Sequence, residues 1–306
     1  MKSTSIILAV TTCVFVIALP AMAYVTPKIG GGQVSDAPML MPEIFFDGIN
    51  ILVFDEYGYP WVTFAWSAAP YLRPLVPPDE FDPNRPWKVL IGKAYNFQYG
   101  WDSVFLNEIT HPFPAGSAVW VKVLDQTPIL DTNDKDFGYI PIFGTPDACG
   151  IPSPDIWWWN KGMRHNVYAV PDTYYGRVSA TYKVYIGSIS SVPPNPPNPA
   201  DGNELVDSNG VPLYGSAIVT FRWLRPCPYI LQGDIDCDCI VDFYDYVLLS
   251  EQWRTASSAP YWADETDINL SESVDLIDLG LLVDNWLIDC LQTPGNPACV
   301  PRPGPL

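Results

Sequence analysis

The sequence predicts a mainly-β protein, an antiparallel β-sandwich followed by a small all-α module built from two loop-helix units. Between residues 46 and 225, β-branched and aromatic residues recur in short alternating runs that Pro, Gly, Asn and Asp interrupt. From residue 226 onwards an acidic pattern occurs twice, and each copy runs into a stretch with helical apolar spacing. These two observations define the predicted domain order.

Three segments carry the clearest strand pattern. Every second residue is apolar in Val178–Ile186, and Ala118–Leu124 and Ala217–Trp223 follow the same rule. Period-two alternation is typical of half-buried antiparallel strands, and several such strands at short spacing favour a sandwich. The proline-rich stretch 193–199 precedes the last of these strands. We therefore interpret it as a stiff insertion within the domain 46–225 and not as the end of that domain.

The two ends of the chain differ from this strand-rich middle. Residues 1–23 combine a basic start, an apolar run and the small residues Ala21-Met22-Ala23, which predicts a cleaved signal peptide, with a retained membrane anchor as the alternative. No later stretch is apolar enough to span a membrane, so we expect a secreted protein or one on the extracellular surface. Residues 24–45 contain three consecutive glycines and are predicted to form a flexible leader, and residues 291–306 a proline-rich tail.

The charge of the chain is strongly acidic and unevenly distributed. The formal net charge is −18, and from Cys227 to the end 14 acidic residues stand against two arginines, a net charge of −12. Nucleic acid is excluded as an expected partner because phosphate binding needs clustered Lys and Arg. Acidity concentrated in the last quarter of the chain indicates cation binding or a solvated surface.

The most specific motif is a repeat with a period of 33 residues. Each copy has oxygen-bearing residues at positions 1, 3, 5, 9 and 12 of a twelve-residue loop, with a backbone carbonyl available at position 7. This is the spacing of a calcium loop, in which alternate side chains converge on one ion and a carboxylate enters from the following helix. The predicted ligands are Asp234, Asp236, Asp238, Ile240, Asp242 and Asp245 in the first loop, and Asp267, Asn269, Ser271, Ser273, Asp275 and Asp278 in the second.

Two features distinguish the copies from an ordinary calcium loop. Five carboxylates in the first loop face three in the second, so we expect two Ca²⁺ sites of which the second is weaker. The sharp turn at position 6 usually requires Gly, but here the residues are Cys239 and Glu272. An acidic helical hairpin without metal is the alternative interpretation.

A loop and one helix, repeated with Asp at position 12, resembles a type I dockerin over residues 231–290, within a module that we place at 226–290. The whole chain also resembles uncharacterised exported bacterial proteins that join a β-rich domain to such a repeat, on the stretches Ser117–Val123, His165–Tyr168 and Thr181–Ile186. The dockerin resemblance implies a cohesin-like partner or a cell-surface component, in a polysaccharide-binding or polysaccharide-degrading setting. It implies contact through loop positions 10 and 11 and a turn or two later, which are Phe243, Tyr244, Glu251 and Gln252, then Leu276, Ile277, Asp284 and Asn285.

Bulky apolar residues stand at the positions where the best-known dockerins have small hydroxyl residues. Phe243 and Leu276 are the stronger candidates for exposure, whereas the helical spacing of Tyr244 and Ile277 with the leucines also allows them to join the core of the module. A dockerin-like fold that serves only as a calcium-stapled stalk is a further alternative.

The β-domain contains no convincing catalytic constellation in sequence. Its histidines, His111 and His165, have no evident triad partners, and no pair among its many neighbouring carboxylates is singled out. The run Trp157-Trp158-Trp159 must send at least one indole to each face of a strand, so these residues are candidates for stacking on sugar rings, with burial in the core as the alternative.

Six cysteines follow the predicted signal peptide, and five of them lie in the last 80 residues. An even number in an exported chain favours disulfides, and the spacing of Cys237 and Cys239 argues against zinc. Two loop-helix units packed about a two-fold axis bring the ends of the module together. We therefore expect at least one bond from Cys227, Cys237 or Cys239 to Cys290 or Cys299, with Cys149 free.

These observations predict a secreted, non-catalytic protein that a calcium-dependent module attaches to a partner or surface. A glycoside hydrolase or lyase on the sandwich is the first alternative, and a purely structural surface protein is the second.

Overall fold

A computed structural model describes residues 23–103, 113–190, 201–259 and 263–303. The predicted signal peptide and proline-rich insertion fall outside these ranges, apart from Ala23. The strands are β1 Ala23–Val25, β2 Glu43–Phe46, β3 Ile51–Phe54, β4 Asp79–Phe81, β5 Lys93–Asn96, β6 Gly100–Trp101, β7 Ser117–Gln126, β8 Asp131–Asp134, β9 Ile140–Ile142, β10 Ile156–Trp159, β11 Arg164–Pro171, β12 Gly176–Ser188, β13 Ala217–Arg225, β14 Tyr229–Ile230 and β15 Val300–Pro301. The α-helices are α1 Phe243–Glu251 and α2 Leu276–Asp284, and 3-10 turns occur at Trp66–Ala68, Pro86–Leu90, Lys135–Phe137 and Asp264–Thr266.

One antiparallel sheet contains all three strands with the clearest sequence pattern. Its order is β10-β7-β12-β13, and the central pair joins Val184 to Val121. The alternation places one side of each strand in the core. Val178, Ala180, Tyr182, Val184 and Ile186 of β12 are all buried, as are Val219, Phe221 and Trp223 of β13. The sequence-based strand predictions are confirmed here.

A second sheet packs face to face on the first. Its order is β5-β11-β8-β9, and β6 also pairs with β11. Trp101 and Tyr168 from this sheet, with Tyr99 just before β6, meet Phe221 and Trp223 from the other sheet. The rings of Tyr99 and Phe221 stack with centroids 4.2 Å apart. Burial of aromatic surface from both sheets forms one core, so the mainly-β architecture is the predicted sandwich.

The predicted flexible leader is packed against the domain. Gly30, Gly31 and Gly32 are buried, and the backbone N–H of Phe97 donates to the carbonyl of Ile29 at 3.0 Å. A methyl group on Gly31 would come within 1.9 Å of the carbonyl oxygen of Tyr95, so the glycine permits a close approach to the sheet. The three glycines pack tightly on the second sheet, on the face that points away from the first sheet, so the prediction of a flexible leader is wrong here.

The C-terminal module has its own core and extends beyond the predicted boundary. Val241, Leu249, Val274 and Leu282 are buried together with the disulfide sulfurs. Strand β15 pairs with β14 at the start of the module, with Ile230 opposite Val300. The described part of the predicted tail therefore belongs to the module. Among the described residues, no helix is both long and apolar enough to cross a membrane.

Candidate metal centre

The first predicted calcium loop gathers three carboxylates. The ligand oxygens of Asp234, Asp236 and Asp245 lie within 4.8 Å of one another, and Asp236 and Asp245 are buried. Asp245, in the first turn of α1, accepts backbone hydrogen bonds from Ile235 at 2.6 Å, Asp236 at 3.2 Å and Asp242 at 2.8 Å. One carboxylate from the helix therefore closes the loop on itself, as position 12 of a calcium loop requires.

The electrostatics of this cluster favour a bound cation. Burial, reinforced by the neighbouring carboxylates, raises the pKa of Asp234 to about 8 and that of Asp236 to about 7. Burial also raises the pKa of Asp245 to about 6, although its backbone hydrogen bonds oppose the change. A divalent cation among these oxygens would offset both the desolvation and the repulsion. The hard oxygen donor set fits Ca²⁺.

The remaining predicted ligands of the first loop are placed differently. Asp238 accepts the backbone N–H of Ile240 at 2.9 Å and lies outside the group of three converging carboxylates. Asp242 is the N-cap of α1, and its side chain accepts from the N–H of Tyr244 at 2.6 Å. Position 9 often reaches the ion through water in calcium loops, so the capping role is compatible with this position.

The second loop repeats most of these hydrogen bonds with fewer charges. Asp278 accepts from the N–H groups of Asn269 at 3.1 Å and Asp275 at 2.8 Å, and Asp275 is the N-cap of α2. Asp267 accepts from the N–H of Ser271 at 2.9 Å, as Asp234 does from Asp238 at 3.0 Å. The Oγ of Ser271 also lies 3.2 Å from the carbonyl oxygen of Ser273, so positions 5 and 7 come together.

Both loops turn through the left-handed region at position 6 without glycine. The φ angles are 81° at Cys239 and 66° at Glu272, and position 4 is also left-handed at Cys237 and Leu270. Non-glycine residues adopt this conformation only where the surroundings impose it. In both loops a carboxylate does so, because Asp234 accepts from the N–H of Cys239 and Asp267 from the N–H of Glu272.

The two units are joined by reciprocal backbone bonds. The N–H of Arg254, after α1, donates to the carbonyl of Val274 in the second loop at 3.0 Å. The N–H of Leu287, after α2, donates to the carbonyl of Val241 in the first loop at 2.8 Å. Since Arg254 and Leu287 are one repeat apart, as are Val241 and Val274, the module has local two-fold pseudosymmetry. Each loop is therefore braced by the opposite unit.

The predicted disulfide between the two ends of the module is wrong. The bonds are Cys227–Cys239 and Cys290–Cys299, with Cα atoms 5.2 and 5.5 Å apart, and each lies within one end. The ends do meet, but through backbone hydrogen bonds such as that from the N–H of Cys290 to the carbonyl of Cys239 at 3.0 Å. Cys149 is free, as predicted, and Cys237 is free as well.

The predicted partner-binding residues are mostly on the surface. Phe243, Tyr244, Leu276 and Ile277 are 66%, 56%, 73% and 60% exposed, so Tyr244 and Ile277 do not join the module's core. Glu251 and Asp284 are exposed, and Gln252 and Asn285 half-buried. The module thus presents two related apolar pairs, one at the start of each helix.

The tryptophan run does not form a stacking platform. Strand alternation sends Trp157 and Trp159 into the sandwich, where their indole N–H groups donate to Asp134 at 3.0 Å and to the carbonyl of Gly162 at 2.9 Å. Trp158 lies on the other face of the sheet, half-buried against Trp120. The interpretation of Trp157 and Trp159 as sugar-stacking residues is wrong, because their rings are buried in the core and are not accessible to a sugar.

Sequence reasoning missed Glu43, a buried carboxylate of the β-domain. Glu43 on β2 is 6% exposed, and its Oε2 finds no hydrogen-bond partner among the described residues. Burial and the nearby carboxylates, first that of Asp102, raise the pKa of Glu43. Burial lowers the pKa of His165, whose Nδ1 lies 3.2 Å from the carbonyl oxygen of Phe97. His111 lies outside the described residues.

Comparison with known proteins adds no assignment. No family model matches the chain, and no curated protein matches it. Two crystal structures of interface mutants of a type II cohesin–X-dockerin complex from Acetivibrio cellulolyticus were found. The N-terminal interface mutant is 13% identical and the match covers 57% of this chain and 85% of that one, and the C-terminal interface mutant is 10% identical with 57% and 84% coverage. The TM-score is 0.17 in both cases, and so low a value supports no statement about fold or function.

Proposed function

We propose that this chain is an extracellular, non-catalytic protein whose C-terminal module binds two calcium ions and attaches the β-sandwich to a partner protein. The observation that carries the calcium proposal is the pair of loops with matching carboxylate-to-backbone hydrogen bonds, one of them with three converging carboxylates. Two disulfides support an oxidising compartment, in agreement with the N-terminal signal pattern.

The proposed ligands are those of the predicted loops. Asp234, Asp236 and Asp245 would hold the first ion directly, and Asp267 and Asp278 are the carboxylates that face the second loop from the matching positions. The second site should bind more weakly, because its position 3 is Asn269 and its position 5 is Ser271.

Calorimetric calcium titration of the full chain after removal of residues 1–23 tests this assignment. Two sites should be found, with Asp234→Ala abolishing the tighter one and Asp267→Ala the weaker one. A stoichiometry of zero, or loss of the tighter site in the Asp267→Ala variant alone, would refute the proposal.

The attachment surface is the second part of the proposal. A groove of about 440 Å³ is lined by the end of the first unit and the start of α2, through Trp253, Arg254, Asp275, Leu276 and Ile277. Exposed apolar side chains beside a groove commonly mark protein interfaces. A cohesin-type protein with a complementary apolar surface is the proposed occupant, and a cell-surface component would be found by the same experiment.

The pseudosymmetry of the module supplies a matched control. Leu276→Ala/Ile277→Ala and Phe243→Ala/Tyr244→Ala remove equivalent pairs, and neither pair is in the core. Both variants should still bind two calcium ions. In a pull-down from the native extracellular fraction, the first variant should lose the partner that wild type captures. Equal capture by wild type and both variants removes these surfaces from the interface, and capture of nothing by wild type favours the stalk alternative.

The setting implied by the resemblance, polysaccharide binding or degradation, stays part of the proposal for the sandwich. A glycan array with the mature chain tests binding. A hydrolase and lyase screen tests the enzymatic alternative, for which Glu43→Gln is the variant that the buried carboxylate suggests.

A further inference from the structure

The sandwich rests directly on the first calcium loop. A methyl group on Gly176, the first residue of β12, would come within 3.3 Å of the Cβ of Asp238 and 3.6 Å of the carbonyl oxygen of Asp236. The preceding residue, Tyr175, packs against the core of the module. The two domains therefore meet at the loop that is proposed to hold the tighter ion.

A single sandwich residue bridges the entrances of both loops. The Nη2 of Arg177 donates to the carbonyl of Ile235 at 2.9 Å and to Oε1 of Glu265 at 2.9 Å. The side chains of Arg177 and Glu265 are both largely buried. Ile235 is position 2 of the first loop, and Glu265 precedes the first ligand of the second loop, Asp267, by two residues. The guanidinium also lies over the ring of Trp66, 5.0 Å from its centroid.

Ile235 connects this bridge to a calcium ligand. Its N–H donates to Oδ1 of Asp245 at 2.6 Å, and its carbonyl accepts from Arg177. The two ends of one residue are thus fixed, one by the carboxylate at position 12 and the other by the sandwich. Movement of the sandwich relative to the module therefore either breaks the hydrogen bond to Ile235 or moves the segment that carries Asp234 and Asp236.

We infer that Arg177 is a positioning residue for the first calcium site and that calcium binding and docking of the module on the sandwich stabilise each other. This inference rests on the proposed calcium function and deepens it. Coupling between two such equilibria is reciprocal, so a docked sandwich raises calcium affinity by the same factor by which calcium favours docking. Calcium then holds the two domains together more firmly, and its removal loosens their contact.

The charge of Arg177 acts in the opposite direction. A guanidinium near the loop repels a cation, so an arginine that contributed only charge would weaken calcium binding, and its removal would strengthen it. Arg177→Ala and Arg177→Lys separate the two effects, because lysine keeps the charge but lacks the planar guanidinium that lies over Trp66 and holds Nη2 between its two acceptors. Arg222 is the matched control. It also stacks on Trp66, at 4.9 Å, but donates to the carbonyl of Phe64 within the sandwich.

Calcium calorimetry on the mature chain is the first experiment. Arg177→Ala should lower the affinity of the tighter site about tenfold, within the usual range of coupling, and leave the stoichiometry at two. Arg177→Lys should also bind more weakly than wild type, and Arg222→Ala should match wild type. An unchanged or tighter first site in Arg177→Ala overturns the inference while the proposed calcium function stands. Absence of calcium binding by wild type overturns both.

Small-angle X-ray scattering supplies a readout that does not depend on affinity. In saturating calcium, wild type and Arg222→Ala should be compact, and Arg177→Ala should have a larger radius of gyration. Chelation should expand wild type to the dimensions of the Arg177→Ala variant. An unchanged far-ultraviolet circular dichroism spectrum for the sandwich confirms that the variant is folded, and equal radii for all proteins with and without calcium refute the coupling.

Discussion

Replacing Asp245 by Asn separates the folding of the first loop from its proposed binding of calcium. Asp245 is 1% exposed, and burial raises its pKa to about 6 from an ordinary value of 3.8. At a pH above the pKa of the folded protein, the carboxylate is charged in the folded and in the unfolded state, and folding bears the full free-energy cost of burying the charge. At a pH below the pKa of the unfolded chain, the group is neutral in both states and this cost is absent. The difference corresponds to roughly 3 kcal/mol. In chelator at pH 7.5, Asp245→Asn removes this cost of roughly 3 kcal/mol. Its Nδ2 cannot accept the N–H of Asp242 as the carboxylate does, which offsets about 1–3 kcal/mol, so we expect a net gain for the first unit between zero and about 2 kcal/mol.

In calcium the effect of the substitution should be the opposite, because calcium binding should stabilise the variant less than it stabilises wild type. At a free calcium concentration 100 times its Kd, a site stabilises the fold by about 2.7 kcal/mol. If the amide weakens binding 100-fold, the same concentration contributes only about 0.4 kcal/mol. The substitution should therefore remove most of the stability that is gained when calcium is added, whatever its effect on the stability in chelator.

Native-state hydrogen exchange on the amides of α1 measures both quantities, because it gives the free energy of local opening. Asp278→Asn is the matched control at the same position of the second loop, where fewer carboxylates stand nearby and the calcium-free gain should be smaller. A loss of α1 stability in chelator would refute the repulsion account. Equal calcium increments in wild type and variant would refute the assignment of Asp245 as a ligand.

Three further outcomes follow from the structure. In chelator, the stability of the module in urea unfolding should fall as the pH rises from about 4 to about 8. The reason is that the pKa of Asp234 is raised from 3.8 to about 8, so the folded state binds more protons than the unfolded state in that window. Stability that rises with pH would contradict this. Arg164→Met should cost about 3–5 kcal/mol in urea unfolding of the sandwich, since it leaves the fully buried carboxylate of Asp134 without the guanidinium that lies 2.5 Å away, and adding Asp134→Asn should recover part of the loss. Trp157→Ala should cost about 3–5 kcal/mol and Trp158→Ala clearly less, because only the first indole is enclosed by the core; equal urea midpoints for the two variants would argue against this placement.

Much of the candidate site was predictable because its information is local. A carboxylate at position 12 of each loop, three residues after the N-cap, encodes both the capping box and the loop closure, so Asp245 and Asp278 could be placed from spacing alone. Exposure of Tyr244 and Ile277 was not decidable in this way. Their helical spacing allows either face, and the choice depends on how closely the second unit packs against the first.

The β-domain shows the same division between local and distant information. Alternation in Val178–Ile186 determines which side chains share a face, but it does not say what covers the opposite face of a sheet. The prediction of a flexible leader at 24–45 is wrong at its glycines for this reason. Its glycines are buried because a sheet lies against them, and that sheet is formed by residues far along the chain.

The mainly-β class, the clearest strands and the period of the acidic repeat can be predicted from the amino-acid sequence, because strand alternation and loop spacing depend on residues close together in the chain. The pairing of the cysteines, the packing of the glycine-rich leader and the contact between the sandwich and the first loop depend instead on residues that are distant in the chain. Arg177 and Ile235 are 58 positions apart, and their hydrogen bond depends on how two independently patterned domains come together. No periodic pattern in the sequence indicates such a contact, because the residues next to Arg177 or Ile235 in the chain do not depend on the distant partner.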